Sequence, residues 1–192
     1  MKTTPYIKVK TQSLLEAGSV LIAKPFWNEE VFRHSVILIT DYNERGACGI
    51  IINKMSNILL REILPGANAN DILYYGGPSS QGIYSYVHSI PSMPGADYFG
   101  NGIYFGGVPA WVQQMAKERQ IDFNKIRFCS GSVQWDAGEL EAEITEGKWW
   151  LTKIYAQEIF DLSPVDLWSY ILLNSGHIYG MFPDEQMDPS MN

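Results

Sequence analysis

The sequence predicts a single α+β domain in which helices pack around a mixed β-sheet. Short apolar runs rich in β-branched residues, typical of buried strands, recur along the chain. A few helical patterns interrupt these runs without strict alternation, which favours a mixed sheet over a doubly wound parallel one. The 192 residues suit one domain, and no repeat or long linker divides them. We therefore expect residues 1–192 to form one domain.

The first half of the chain predicts five strands and one short helix. Residues 35–40 and 47–53 are expected to pair as a hairpin, because the polar segment 41–46 between them has turn chemistry. Leu59, Leu60, Ile63 and Leu64 have helical spacing, and Pro65 should end that helix. The remaining predicted strands are residues 19–23, 72–75 and 83–88.

The second half predicts three strands and two longer helices. Residues 91–100 read as a loop, and the strands are expected at 102–105, 125–130 and 148–152. Pro109 suits the first turn of a helix that runs to about Arg119. Ser163, Pro164 and Asp166 form the start signal of a last helix that ends near residues 174–176, followed by an extended tail over 183–192.

The segment 135–143 carries the densest polar chemistry of the chain, with one tryptophan, one glycine and three glutamates close together. On a strand, Glu139, Glu141 and Glu143 would share one face; on a helix, Glu141 would point away from the other two. A solvated acidic face is the simpler interpretation. The functional alternative is that one glutamate beside Trp135 accepts a hydrogen bond from a buried donor or binds a ligand, with Gly138 allowing a tight bend or close approach.

Two further features are candidates for a site. Gly76, Gly77 and Pro78 follow an aromatic strand, and the segment is either a sharp turn or an exposed nest of backbone amides for an anion. His88 ends the next predicted strand; a lone histidine is more often structural than catalytic, but it could act as a general base.

Charge and motif content exclude several functions. The formal net charge of −7 and the pI of about 4.9 repel phosphate backbones, so direct nucleic-acid binding is disfavoured. No phosphate-binding loop, nucleophile elbow or zinc helix is present, and we expect no cofactor or metal. Cys48 and Cys129 are far apart and are expected to be free, inert thiols. With no signal sequence or membrane-spanning run, the expected location is the cytoplasm.

In this order, these pieces resemble the AlgH/YqgE-like family of bacterial proteins over nearly the whole chain. The resemblance rests on the segments 18–25, 32–38, 46–53, 75–78, 87–89, 135–143 and 166–168, and on the closing residues 188–192. It implies a mixed, bifurcated sheet with a small barrel-like part, surrounded by helices, and no established enzymatic activity. Two positions depart from the family pattern. Gln134 replaces a usual glycine, and Glu139 replaces a usual glutamine, so an amide donor has become an acceptor.

These observations predict a cytosolic binding or regulatory protein with an unknown protein or small-molecule partner and no association with membranes. The expected binding region gathers groups from strand ends and turns, where sites are usually built. Its predicted members are Arg33, Asn53, Gly76, Gly77, Pro78, His88, Trp135, Gly138, Glu139 and Glu141. One alternative is a hydrolase or transferase that uses His88 or a glutamate as general base. Another is a transcriptional regulator that acts directly or through a partner.

Overall fold

Ten strands and four α-helices form the described part of the chain, residues 15–27 and 29–174 of this computed structural model. The strands are β1 (Val20–Ala23), β2 (Val36–Asn43), β3 (Gly46–Ile51), β4 (Met55–Leu59), β5 (Ile72–Tyr75), β6 (Ser79–His88), β7 (Ala96–Gly100), β8 (Ile103–Gly106), β9 (Ile126–Asp136) and β10 (Trp149–Thr152). The helices are α1 (Pro109–Lys117), α2 (Glu139–Thr145), α3 (Ala156–Asp161) and α4 (Pro164–Asn174).

The longest strand, β9, organises the sheet. The main strand order is β10-β1-β2-β3-β9-β6-β8-β7, and β9 is its middle. One edge of β9 pairs antiparallel with β6; the other edge is divided between antiparallel β3 near Trp135 and parallel β5 near Cys129. The sheet therefore forks at β9, and the two ends of this strand belong to different parts of the molecule.

Both faces of the sheet are buried around β1 and β2, which explains the uninterrupted apolar runs in the sequence. Successive side chains of a strand point to opposite faces. Thus Ile22 and Leu38 belong to a core cluster that α3 and α4 cover, whereas Leu21 and Ile37 belong to a second cluster with Trp135 and the helix α2. A third cluster packs α1 against β5 and β9.

The α+β class is confirmed, with corrections to individual elements. The hairpin of β2 and β3 is present, but both strands continue into the segment that was predicted as its loop. The predicted helix near Leu60 is a strand, β4, followed by a single turn of 3-10 helix at Leu60–Glu62. Part of the segment expected to be a loop forms the strand β7, because it pairs with β8. The helix α3 was not predicted.

The helices are few, and they do not clearly surround the sheet, which is better described as a curled half-barrel. The end of the last helix beyond Asn174, the predicted tail and the closing motif 188–192 lie outside the described residues. None of the helices in the described ranges is both long and apolar enough to cross a membrane. Cys48 and Cys129 are free thiols, as expected.

Candidate functional site

The three glutamates of segment 135–143 have different hydrogen-bond partners, and the Glu143 carboxylate accepts the most hydrogen bonds. One of its carboxylate oxygens, Oε2, accepts from the indole N–H groups of Trp135 and Trp149, each at 2.8 Å. The other oxygen, Oε1, accepts from the ammonium of Lys148 at 3.2 Å. We call these four residues the indole cradle. It ties together the end of β9, the helix α2 and the start of β10.

The indole cradle is buried enough to be structural. The Glu143 side chain is 15% exposed, and Trp149 is almost fully buried against Trp27 and Phe32. A buried indole N–H needs an acceptor, and one carboxylate oxygen here serves two of them. All three donors are therefore used inside the protein, which leaves the carboxylate as a fixed element of the fold.

Glu139 and Glu141, the two glutamates predicted as site residues, also bond to protein groups. Glu139 is exposed, and its Oε2 accepts from the backbone N–H of Asp136 at 2.8 Å, which ties the first residue of α2 to the end of β9. Glu141 accepts from the hydroxyl of Tyr42 at 2.5 Å, and this bond raises the pKa of the Tyr42 phenol. Gly138 precedes the helix with a φ of 81°, and open space surrounds its α-carbon, so it provides the bend rather than a close approach.

The glycines of the Gly76-Gly77-Pro78 segment lie at the fork of the sheet. A Cβ on Gly76 would lie 2.3 Å from the carbonyl oxygen of Gly131, and one on Gly77 would lie 2.3 Å from Ser132. The N–H of Gly76 donates to Ser130, and its carbonyl accepts from Ile51, so this residue joins β9 to β3. Close backbone approach explains the two glycines, and Pro78 follows them at the surface.

Arg33 and Asn53 are neighbours through the turn before β2. Asn53 is buried, its amide donates to the carbonyl of His34, and its oxygen accepts from the N–H of Val36. This pairing fixes the turn on the end of β3. Arg33 is exposed, and partial burial, together with the charges of Arg33 and Lys54, lowers the pKa of His34.

His88 is a buried residue whose two ring nitrogens both have backbone partners. Its Nδ1 accepts from the N–H of Ile90 at 3.1 Å, so Nε2 carries the proton that is donated to the carbonyl of Gly106 at 3.2 Å. Burial lowers the pKa of the ring, which favours the neutral form. The ring stacks on Tyr104 with centroids 5.6 Å apart. This is the arrangement of a structural histidine.

The structure does not bring the predicted binding region together. His88 pairs with Ile126 at one end of β9, and Trp135 lies at the other end beside Ala47. At the rise of a strand, nine residues correspond to roughly 25–30 Å. The Gly76-Gly77 segment contacts the middle of β9. The structure therefore places His88 and Trp135 in two separate regions and not on the single surface that was predicted. The reason is that β9 extends well beyond the predicted strand, residues 125–130.

The end of the molecule near His88 contains a concave surface that the sequence did not predict. A cavity of about 590 Å³ lies between the strands β7 and β8 and the helix α3. We call it the aromatic cleft. The side chains of its walls that matter here are Tyr98, Tyr104, Tyr155, Phe160, Asn101 and Asn124. Tyr98 is 61% exposed and Tyr155 is 60% exposed. The ring of Tyr104 stacks on the ring of the buried His88. Rings and amides around a cavity are typical of small-molecule sites.

A smaller cavity of about 230 Å³ shares Asn124 and Phe160 with the aromatic cleft. It is lined by Arg127, a residue that is only 4% exposed. We call it the arginine cavity. The guanidinium carbon lies 5.0 Å from the ring centroid of Tyr74 and 5.9 Å from that of Phe160. Burial of a cation under two ring faces is uncommon without a counter-charge.

Burial shifts the pKa values of Arg127 and of two neighbouring side chains. Desolvation lowers the pKa of the guanidinium, but an arginine side chain stays protonated in proteins. Desolvation raises the pKa of the Tyr74 phenol, which keeps its hydroxyl as a donor. The neighbouring Cys129 thiol is also buried, and its pKa is raised to about 12, which makes it a poor nucleophile. In residues 15–27 and 29–174, no three His, Cys, Asp or Glu side chains are grouped to hold a metal ion.

With the geometry described, comparison with known proteins identifies the family. A family model described as AlgH-like matches residues 20–180, most of the chain. The chain belongs to the AlgH-like family. It is 28% identical over 188 residues to a UPF0301 protein of Bacteroides thetaiotaomicron, with 96% of each chain covered. It is 32% identical over 172 residues to a UPF0301 protein of Chlamydia abortus, covering 87% of this chain and 90% of the other. Neither name states a reaction.

Two solved structures share the fold. The solution structure of the AlgH protein from Pseudomonas aeruginosa is similar with a TM-score of 0.68 and 23% identity, covering 87% of this chain and 94% of that one. The crystal structure of protein DIP2367 from Corynebacterium diphtheriae gives a TM-score of 0.70 at 21% identity, with 82% and 86% covered. At these identities the likeness concerns the AlgH-like fold alone.

Within this AlgH-like chain, the two departures from the family pattern have local explanations. The Glu139 carboxylate accepts a hydrogen bond from Asp136, and the oxygen of a glutamine amide could accept the same bond. Gln134 is exposed, and its amide lies 3.4 Å from the hydroxyl of Ser80. Replacing an amide by a carboxylate at residue 139 is therefore compatible with the same hydrogen bond to Asp136.

Sequence reasoning missed the residues of both cavities. Arg127 stands inside an apolar run between Ile126 and Phe128. A charged residue in a buried strand is unusual and could have indicated a functional position. Tyr98 and Tyr155 carried no such signal, because they come from a segment predicted as a loop and from the start of an unpredicted helix.

Proposed function

We propose that this AlgH-like protein is a small-molecule-binding protein of the bacterial cytoplasm and that its ligand occupies the aromatic cleft. The observation that carries the proposal is the pair of half-exposed rings of Tyr98 and Tyr155 across a cavity of about 590 Å³. That volume lies within the range of sites that take small organic ligands. Exposed rings facing a cavity gain contact area and lose little conformational entropy when a ligand stacks on them.

Polar groups in the same walls favour a ligand with hydrogen-bonding groups. The amides of Asn101, Asn124 and Gln157 and the charges of Lys125 and Asp161 line the aromatic cleft. The Asn101 amide already donates to the carbonyl of Ile154 at 3.1 Å, which holds its oxygen in place as an acceptor. A ligand with one flat apolar part and one or two polar groups suits this combination.

Binding is favoured over catalysis because the predicted general bases are engaged elsewhere. Both nitrogens of His88 have backbone partners, and the glutamates of segment 135–143 bond to protein groups at the other end of β9. Regulation of transcription through a partner protein is compatible with a ligand-binding role. Direct contact with DNA is disfavoured by the net charge of −7.

An NMR screen of a mixture of cytosolic metabolites tests the proposal. We expect ligands to shift the side-chain amides of Asn101, Asn124 and Gln157 and to leave the indole N–H signals of Trp135 and Trp149 unchanged. The Tyr98→Ala, Tyr155→Ala double variant should bind at least about tenfold more weakly, the usual effect of losing aromatic anchors. Tyr84→Ala is the matched control, because Tyr84 is an exposed tyrosine of β6 outside the aromatic cleft. Equal binding by both variants would contradict the proposal.

A further inference from the structure

Arg127 carries a charge that the described part of the protein does not neutralise. Its Nη1 donates to the carbonyl of Ile52 at 2.5 Å, and its Nη2 donates to the carbonyls of Ile159 and, at 3.5 Å, Leu162. Across the described ranges the guanidinium forms no ion pair with a carboxylate. Three carbonyl dipoles and two ring faces compensate for part of the lost hydration.

The guanidinium also retains hydrogen-bonding capacity. An arginine side chain has five N–H groups. The carbonyl bonds use both hydrogens of Nη2 and one of Nη1. The Nε hydrogen and the second Nη1 hydrogen bond to no acceptor in the described residues. Because Arg127 lines the arginine cavity, a molecule inside the cavity would lie next to a guanidinium with unused donors.

The other walls define what that molecule can be. Ile72, Phe123, Phe128 and Leu162 contribute apolar walls, and the hydroxyl-bearing ring of Tyr74 lies over the guanidinium. The volume of about 230 Å³ is smaller than that of most ligand pockets, so only a small molecule fits. Asp71 also borders the arginine cavity, and its negative charge opposes a bound anion. Its Oδ2 accepts from the N–H of Asn68, which holds the carboxylate in the segment before β5.

We propose that the arginine cavity binds the carboxylate of a small organic acid, with the acid's apolar part directed towards the rings of the aromatic cleft. A carboxylate beside a buried guanidinium forms charge-assisted hydrogen bonds, which are about twice as strong as neutral ones. Asn124 and Phe160 line both cavities, so the two lie side by side and the rings of the aromatic cleft are the adjoining apolar surface. The inference rests on the proposed function and specifies the chemical class of its ligand.

Matched pairs of acids and neutral amides test the inference. Isovalerate and phenylacetate are compared with isovaleramide and phenylacetamide by NMR titration, with the side-chain signals of Arg127 and Asn124 as reporters. We expect each acid to bind at least about tenfold more tightly than its amide, since only the acid gains the charge-assisted bonds. If an amide binds the cavities as tightly as its acid, the carboxylate assignment is wrong while small-molecule binding stands. If no acid shifts these signals, the assignment is also wrong, and the metabolite screen decides the proposed function independently.

Three variants separate a binding role of Arg127 from a structural one. Arg127→Met should abolish the preference for the acid, whereas Lys117→Met, which removes an exposed cation of α1 that lines neither cavity, should change it less than about twofold. Asp71→Asn provides a second test in case the Arg127 variant does not fold. Asparagine at residue 71 can keep the hydrogen bond from the N–H of Asn68. Removing that negative charge should tighten acid binding several-fold and leave amide binding unchanged. An equal effect of Asp71→Asn on acids and amides would overturn the proposal.

Discussion

The two ends of β9 solve the problem of a buried charge in opposite ways. At the end near Trp135, the Glu143 carboxylate accepts hydrogen bonds from two indole N–H groups and from the ammonium of Lys148. At the other end, the guanidinium of Arg127 meets backbone carbonyls and ring faces but forms no ion pair within the described ranges. The first charge is compensated and stabilises the fold, whereas the second has no carboxylate partner among the described residues. A polar motif rich in sequence signals is therefore not necessarily the site.

The largest expected effect tests the structural side of this comparison. Glu143→Ala leaves two buried indole N–H groups without an acceptor and removes the partner of Lys148. We expect a loss of about 3 kcal/mol in the free energy of unfolding, measured by urea denaturation. Glu146→Ala removes the exposed partner of the same lysine and should cost less than about 0.5 kcal/mol. Comparable losses for the two variants would show that the indole cradle is not structural.

A smaller effect, visible through pH, concerns the histidine behind the aromatic cleft. Burial lowers the folded-state pKa of His88 below its ordinary value of 6.5. The unfolded chain therefore binds the proton more readily, so the contribution of His88 to stability is complete above about 6.5. That contribution is lost as the pH falls from there through the folded-state value.

Replacement of His88 should therefore flatten the stability profile in the acid range. We expect His88→Asn to unfold with a weaker dependence on pH below about 6.5, whatever its stability at neutral pH. His34→Asn is the comparison, because the His34 pKa is also lowered but this residue is exposed. Urea denaturation at several pH values measures both. An unchanged slope in His88→Asn would mean that the ring is not held in its neutral form.

The smallest effect is expected at a residue that differs from the family pattern. Glu139→Gln keeps an oxygen that can accept the N–H of Asp136, so the free energy of unfolding should change by less than about 0.5 kcal/mol. Glu139→Ala removes the acceptor and should cost about 1 kcal/mol, the usual net value of an intramolecular hydrogen bond. Equal stability of the alanine and glutamine variants would show that the hydrogen bond between Asp136 and Glu139 contributes nothing.

The sequence by itself was enough for the α+β class, most strands and the start of α4. Apolar runs such as those of β1 and β2 identify buried strands because both of their faces need apolar residues. Pro164 at the first helical position marks the start of α4, since its ring suits the helix and its missing N–H would have no partner there. The resemblance to the family also rests on such local segments.

Tertiary structure alone decided which polar residues meet. Trp135, Glu143 and Trp149 are close in the chain, but only the turn from β9 through α2 to β10 makes their hydrogen bonds. Arg127 and Tyr155 border adjoining cavities because α3 packs near β9 and β8. Helical and strand periodicity report which face of an element is apolar, and they carry no information on the distant element that covers it. Positions of ligand-binding groups depend on those distant contacts.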